Sequence, residues 1–217
     1  MRRISIRTLS WLSLLVLVAG CAGPKRLPPA GTGPEPAPRP GRPGDGRPVI
    51  LGVGIVEEVA FLTIAATGEA WVLAGDTRKR LTRVTDKSLV LECRRAVSQV
   101  GWSLGDHRGS AASLVLEPVD PRHRVHREGR EYRGDFMVRP TPEGAGLTLI
   151  NNIDLENYLK GVVPWEIGRH DRDKLAAVEA QAVAARTYTM SHLGARKSRG
   201  FDLFASVMDQ VYKGTSD

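Results

Sequence analysis

A proline- and glycine-rich segment, residues 22–48, limits how much of this 217-residue chain can fold. It contains nine of the 14 prolines and six glycines. Such a composition cannot bury enough apolar surface to offset the entropy that ordering costs. We therefore predict a disordered tether here and folded sequence from Val49 onward. The remaining residues, 49–217, suffice for one domain of the usual size of about 100–200 residues.

Residues 1–20 have the pattern of a secretory signal peptide. Three arginines precede an apolar run over residues 9–18, which is shorter than the roughly 20 residues of a membrane-spanning helix. The run ends in Val-Ala-Gly-Cys, which resembles the lipobox in which bacteria acylate a cysteine; an ordinary signal peptide ending near a cysteine is the alternative. We expect lipidation at Cys21, which anchors a protein stably when two or more acyl chains are attached. The expected location is the cell envelope, on the periplasmic side of the outer membrane in a Gram-negative host.

The net charge and the number of cysteines exclude further classes of protein. The formal net charge of +7 falls to +4 when the three arginines of residues 1–20 are removed. An exported lipoprotein rarely meets nucleic acid, so we expect no nucleic-acid partner. Two cysteines cannot form the disulfide framework of a small secreted scaffold. Lipidation of Cys21 leaves Cys93 unpaired in an apolar run, where we predict a buried core thiol and not a nucleophile.

Short apolar runs separated by turn residues fill residues 49–152 and predict several strands. The clearest are VILGVGIV, AFLTIAA, AWVLAG, SLVLEP, YRGDFMV and LTLINN. From Asp154, a predicted N-cap, the pattern is helical, and we expect Pro164 to end this short helix. A second, alanine-rich helix is predicted from about Asp173 to Leu193, central and buried. The predicted fold class is α+β, with a β-rich N-terminal region packed on this helix.

Two further patterns do not support a binding site. Gly52-x-Gly54 follows a strand run but lacks the third glycine of a dinucleotide fingerprint, and no helix pattern follows it. His107, His123 and His126 have no cysteine or carboxylate at a spacing typical of zinc sites. We therefore expect no cofactor and no metal, and we interpret the arginine-rich stretch around the last two histidines as a solvated basic loop.

Four sequence blocks resemble the sporulation stage II protein D / LytB (SpoIID/LytB) family. They are YRG at residues 132–134, LTLINNIDLENYLKGVVPWE at 147–166, AQAVAARTY at 180–188 and DQVYKG at 209–214. The resemblance assigns residues 49–217 to one such domain, behind a signal peptide (1–20) and a linker that begins at the lipidated cysteine (21–48). It implies a peptidoglycan partner. Sporulation members are lytic transglycosylases that cut the β-1,4 bond between N-acetylmuramic acid and N-acetylglucosamine and leave a 1,6-anhydro end.

The resemblance places the catalytic acid of such an enzyme at Glu166. A hydrolytic glycosidase usually needs two carboxylates. A transglycosylase needs one, because the 6-hydroxyl of muramic acid is an internal nucleophile with a large effective molarity. One carboxylic acid then protonates the leaving oxygen and accepts the hydroxyl proton. We expect Glu166 to lie in a loop after Pro164, shielded from water by Pro164, Trp165 and Ile167.

Arg186 is the strongest substrate-binding candidate in these blocks. An arginine on a buried helix is costly unless it is paired. The resemblance implies that Arg186 binds substrate oxygens or orients Glu166. The structural alternative is an ion pair with Glu179 or Glu156.

Five weaker substrate-binding candidates complete the site that the resemblance implies. Gln181 and Tyr188 share the alanine-rich helix. Lys160 either lines the cleft or is solvated. Gln210 and Tyr212 are expected to build the cleft wall.

Two departures from the family pattern limit what is carried over. Some members bind zinc with cysteines ahead of the Gln-Val-Tyr block, where this chain has Phe204 and Asp209. Family domains also continue beyond this block, so we expect an incomplete domain that stops at Asp217. Two other functions stay open: a non-catalytic glycan-binding module that recruits or enhances a cell-wall amidase, and a structural envelope lipoprotein.

Overall fold

Strands are the main secondary structure of the computed structural model, which describes residues 48–86, 88–168 and 174–215. In chain order they are β1 (Ile50–Val59), β2 (Phe61–Ala66), β3 (Ala70–Ala74), β4 (Arg80–Val84), β5 (Leu91–Ala96), β6 (Gln99–Leu104), β7 (His107–Ala111), β8 (Leu114–Pro118), β9 (Val125–Arg127), β10 (Arg130–Tyr132), β11 (Asp135–Pro140), β12 (Leu147–Asp154) and β13 (Leu203–Phe204). Two α-helices, α1 (Leu155–Ile167) and α2 (Leu175–His192), lie between β12 and β13. The predicted signal peptide, Cys21 and most of the predicted tether lie outside the described residues.

The strands form two sheets that share one hydrophobic core. The order is β13-β1-β12-β11-β8-β3-β4 in the first and β10-β9-β2-β5-β6-β7 in the second. Val72 and Leu116 of the first sheet and Leu62 and Leu91 of the second belong to the same buried cluster. Leu62 and Leu91 each lie between more exposed neighbours, as in a half-buried strand, whereas β3 and β8 are buried over consecutive residues. The predicted α+β class with a β-rich N-terminal region is therefore confirmed.

Several strands carry too few apolar residues to be recognised as apolar runs. β4, β7, β9 and β10 are short and rich in charged or polar side chains. β9 and β10 occupy most of the stretch that we expected to be a basic loop. Their two-residue turn places Glu128 at φ 51° and Gly129 at φ 75°, the left-handed pair that a tight hairpin turn needs. The turn therefore makes this stretch a hairpin.

Gly52 and Gly54 of β1 accommodate an aromatic ring, not a nucleotide. A Cβ atom at Gly54 would lie 2.9 Å from the ring of Phe201, and one at Gly52 would lie 3.3 Å from its Cα. The absence of side chains there lets the segment that leads into β13 approach closely, and β13 pairs in parallel with β1. Glycine in a strand often marks such an approach of backbone.

Helix α1 begins at its predicted cap but continues through Pro164. Asp154 Oδ1 accepts a hydrogen bond of 3.0 Å from the backbone N–H of Asn157. Proline inside a helix removes one backbone hydrogen bond and costs about 3 kcal/mol. The buried Val162 and Val163 anchor the helix before the proline. Contacts of Trp165 and Glu166 with the C-terminal segment hold the turn after it. The prediction that the helix ends at Pro164 is therefore wrong.

Helix α2 lies within two residues of its predicted bounds but is far more exposed than predicted. Among its residues only Ala185 and Thr189 are buried, whereas Leu175 and Val183 are 56% and 60% exposed. Alanine stabilises a helix in water as well as in a core, so its abundance does not determine burial. The helix lies at the surface of the described structure. Gly194 follows it at φ 77°, as expected for a helix stop.

Cys93 of β5 is fully buried, and burial raises its pKa to about 12, which confirms the predicted core thiol. In the part of the chain that the structure describes, no helix has both the length and the apolar character needed to cross a membrane.

Candidate active site

Glu166 lies in the last turn of α1, with an exposed side chain. Its Oε1 atom accepts a hydrogen bond of 2.7 Å from the backbone N–H of Val211. The expected loop position and the expected shielding from water are both corrected by the structure. Successive residues of a helix point about 100° apart, so Trp165 and Ile167 point away from Glu166 and do not cover it.

The strap, residues 209–212, brings Val211 to this position. Its first residue, Asp209, has a side chain that is only 1% exposed. Asp209 Oδ1 accepts hydrogen bonds from the Tyr188 hydroxyl at 2.8 Å and from Arg196 Nη2 at 2.9 Å, and Oδ2 accepts one from the Phe204 N–H at 2.7 Å. The buried carboxylate is therefore paired with a cation and satisfied, as a buried charge must be.

Gln210 and Tyr212 fix the strap on either side of Val211. Gln210 Oε1 accepts hydrogen bonds from the hydroxyls of Thr189 at 2.8 Å and Tyr158 at 3.3 Å. The Tyr212 hydroxyl donates to Asn151 Oδ1 at 2.8 Å. The two side chains are 6% and 2% exposed, so they bind the protein's own groups behind the surface and do not line a groove as expected.

Gly161, in the middle of α1, makes room for the strap. A Cβ atom there would lie 2.5 Å from the ring of Tyr212 and 2.5 Å from the carbonyl oxygen of Gly214. Glycine inside a helix costs about 1 kcal/mol relative to alanine. The close approach of Tyr212 explains why the helix carries it.

Burial keeps the hydroxyls behind the site protonated. It raises the pKa of Tyr158 above the usual tyrosine value, and the nearby carboxylates of Asp209 and Glu166 raise it further. Burial also raises the pKa of Tyr212. Both hydroxyls therefore remain hydrogen-bond donors at neutral and moderately alkaline pH.

Trp165, the residue before Glu166 on α1, contacts Lys213. Lys213 Nζ lies 4.2 Å from the centroid of the Trp165 ring, within the range of a cation–π contact. Trp165 is 46% exposed, so part of this large apolar ring is open to a ligand. The contact also ties the last turn of α1 to the chain after the strap, which helps α1 to continue past Pro164.

Arg186 lies at the other end of α1. Its Nη2 atom is 2.5 Å from Glu156 Oε2, and the side chains of Arg186 and Glu156 are 41% and 64% exposed. Ten residues separate Glu156 from Glu166, which is about 15 Å along a helix. The structure therefore has the ion pair with Glu156 that we named as the alternative, and it does not bring Arg186 to Glu166.

The remaining candidates are Gln181, Lys160 and Tyr188. Gln181 is half-buried on α2. Lys160 is exposed, and its Nζ donates to Asn157 Oδ1 at 3.2 Å. Tyr188 binds Asp209 and stacks on His192 with ring centroids 4.0 Å apart. Sequence reasoning missed Val211, because a backbone N–H has no residue signature.

The side chains around the strap determine whether a metal ion could bind there. Within residues 48–86, 88–168 and 174–215, no three His, Cys, Asp or Glu side chains converge as a metal site would require. Asp209, which stands where some family members have a zinc-binding cysteine, is engaged by Arg196 and Tyr188. A cation at this carboxylate would have to displace the arginine.

Comparison with known proteins identifies the segment that holds this site. Residues 143–217 match the family model described as Stage II sporulation protein, SpoIID. Residues 143–217, here called the SpoIID segment, are similar to the SpoIID family. The SpoIID segment contains Glu166, Trp165 and the whole strap, together with both helices. The similarity indicates a role related to the cell wall.

This chain is also similar to an uncharacterized protein of Brachyspira hyodysenteriae. It is 37% identical over 87 residues, which are 40% of this chain and 23% of that protein. The matched region is therefore less than a quarter of the relative's length. No solved structure matches this chain.

Proposed function

We propose that this protein is a peptidoglycan lytic transglycosylase in which Glu166 is the general acid and base. The observation that carries the proposal is the hydrogen bond from Val211 N–H to Glu166 Oε1, inside the segment that matches the SpoIID model. A backbone donor held by a rigid strap fixes one carboxyl oxygen and turns the carboxyl plane in one direction. Positioning of this kind is what a general acid requires.

The proposed reaction uses this single carboxyl twice. Protonated Glu166 donates its proton to the oxygen of the glycosidic bond, and the bond from that oxygen to C1 of N-acetylmuramic acid breaks. The 6-hydroxyl oxygen of the same sugar bonds to C1 and closes the 1,6-anhydro ring. Its proton passes to the Glu166 carboxylate, which restores the acid. No water and no second carboxylate take part.

Because Glu166 is exposed, the bound glycan itself has to exclude water from the carboxyl in this scheme. The Trp165 ring, 46% exposed and one residue before Glu166 in the chain, offers an apolar surface to the C–H face of a sugar. A strand that bound Trp165 and also covered Glu166 would strengthen the electrostatic interactions of the carboxyl with the reacting atoms.

The test compares the full chain with Glu166→Gln on glycan strands from which stem peptides have been removed. General acid–base catalysis contributes about 10²–10⁴-fold, so we expect the release of 1,6-anhydro products, measured by mass spectrometry, to fall at least 100-fold. Binding to sacculi should persist. Glu179→Gln, an exposed glutamate on α2, is the matched control and should retain activity. Equal product release by Glu166→Gln and the full chain would remove Glu166 from the mechanism.

A second function is favoured by the same exposure of Glu166. A carboxyl at an open surface also suits a glycan-binding module that recruits or enhances a cell-wall amidase. In that case the full chain would bind denuded strands and stimulate an amidase while releasing no anhydro product. Failure to bind sacculi at all would support a structural envelope lipoprotein instead.

The proposed location is the cell envelope, with membrane attachment through lipidated Cys21. The sequence pattern at residues 1–21 supports it. The tether predicted for residues 22–48 would let the domain reach glycan strands at a distance from the membrane, because proline-rich chains are extended and semi-rigid.

A further inference from the structure

A cavity of about 600 Å³ lies at the N-terminal end of α1, opposite to Glu166. Its walls come from the start of β1, the segment after β8, the start of β11 and the junction of β12 with α1. Asp154 caps the helix at this cavity, and Glu166 lies twelve residues later, about 18 Å along the helix axis. The cavity is therefore a place separate from the candidate active site.

The charges that line the cavity balance. Three acidic residues, Glu117, Asp135 and Asp154, and three arginines, 122, 124 and 133, contribute to its walls. Glu117 also pairs with Arg78 at 2.7 Å, and Arg122 pairs with Asp120 at 2.6 Å. His123 also lines the cavity. The formal charges of the three acidic residues and the three arginines cancel, so neither sign of charge dominates among them.

Two hydrogen-bonded pairs, each made of an aspartate carboxylate and an asparagine amide, line the cavity. Asn152 Nδ2 donates to Asp135 Oδ1 at 2.7 Å, and Asn157 Nδ2 donates to Asp154 Oδ2 at 2.6 Å. Each carboxylate is held by its hydrogen bond, so its oxygens are oriented before a ligand binds. Asp135 is half-buried, and burial raises the pKa of its side chain. Pro118 and Ile153 add apolar surface.

Such walls suit a ligand whose groups both donate and accept hydrogen bonds and whose rings have an apolar face. Vicinal hydroxyls and acetamido groups of sugars meet this description. We propose that the cavity binds uncharged N-acetylhexosamine units of a glycan, as a second glycan site apart from Glu166. The choice of N-acetylhexosamine rests on the proposed function. A second contact on one polymer raises the apparent affinity, because the second binding event becomes intramolecular.

The experiment titrates the ¹⁵N-labelled full chain with chitotetraose, a soluble uncharged oligomer of N-acetylglucosamine, and follows amide shifts by NMR. We expect shifts at Gly134 and at the side-chain amides of Asn152 and Asn157. Asp135→Asn, which keeps the shape of the side chain, should weaken this binding at least fivefold. Ile50→Trp, which fills the mouth of the cavity from an exposed position, should do the same.

Two controls separate the cavity from the active site. Phe61→Trp changes an exposed apolar residue of β2 outside the cavity lining and should leave chitotetraose binding unchanged. Glu166→Gln should also leave it unchanged, since the two sites are separate. Absence of anhydro product from the full chain would defeat the proposed enzyme function and would not alter the shifts at the cavity.

Three results would overturn the proposal. The first is that chitotetraose shifts only the amide signals of Trp165, Val211 and Lys213. The second is the absence of shifts at the cavity, and the third is binding that Asp135→Asn and Ile50→Trp both leave unchanged. Equal shifts with inorganic phosphate would show an anion site and would also contradict it.

Discussion

The backbone N–H of Val211 donates a 2.7 Å hydrogen bond to the carboxyl of Glu166 across 45 residues of sequence. The bond joins the last turn of α1 to the strap, and the residues on both sides of Val211 are buried and hydrogen-bonded. The position of the proposed acid is therefore set by the core behind it, although the carboxyl itself is exposed.

Asp209→Asn should loosen this hydrogen bond without touching Glu166. The substitution removes the charge that Arg196 and Tyr188 bind, and breaking a buried ion pair costs about 3–5 kcal/mol. In an acid titration by NMR, the Val211 amide shift of the unmodified protein should follow ionisation of the Glu166 carboxyl. We expect the amplitude of this response to fall by at least half in Asp209→Asn.

Milder and matched variants accompany that measurement. Tyr188→Phe removes one hydrogen bond to Asp209, worth about 0.5–1.5 kcal/mol, and should give an intermediate response. Asp202→Asn changes a carboxylate that accepts from Gly52 and Gly194 N–H groups outside the strap, and should leave the Val211 response intact. An unaltered response in folded Asp209→Asn would contradict the positioning role.

Pro164→Ala should stabilise the protein. Proline inside α1 removes a backbone hydrogen bond, and alanine is about 3 kcal/mol more favourable in a helix interior. Urea unfolding should show a free energy of unfolding that is higher by up to about 3 kcal/mol. Pro142→Ala, in the turn after β11, is the control and should give no gain, because loop proline restricts the unfolded chain. Destabilisation by Pro164→Ala would show that the proline ring contributes more by packing than it costs the helix.

The Cys93 thiol should resist modification until the protein unfolds. It is fully buried, and its pKa of about 12 keeps it protonated at pH 8, whereas the thiolate is the reactive form. In a Cys21→Ser background, labelling by a disulfide reagent at pH 8 should proceed at the rate of global unfolding and speed up with urea. Rapid stoichiometric labelling of the folded protein would contradict this burial.

Cys21→Ser should release the protein from membranes. Acyl chains supply the proposed anchor, and serine cannot carry the thioether-linked lipid of a lipoprotein. We expect the unmodified protein in the membrane fraction with incorporated labelled fatty acid, and the variant in the soluble fraction without it. Cys93→Ser is the control for the other cysteine and should retain the label. Membrane retention of Cys21→Ser would point to a different anchor.

Local sequence signals determined much of the fold and the family. The apolar runs of β1, β2, β3, β8, β11 and β12, the Asp154 cap and the Gly194 stop depend on residues close in sequence, where patterning and capping act directly. Four blocks were enough to indicate the SpoIID resemblance, and residues 143–217 match that family.

The tertiary structure decided what depends on distant partners. Pro164 would end an isolated helix, but buried valines before it and the contacts of Trp165 and Glu166 after it outweigh the lost hydrogen bond. Alanine content gives no information on burial, so only the packing of α2 shows that it lies at the surface. Val211 reaches Glu166 through a backbone donor that any non-proline residue has, and such a contact is set by the path of the chain and not by residue identity.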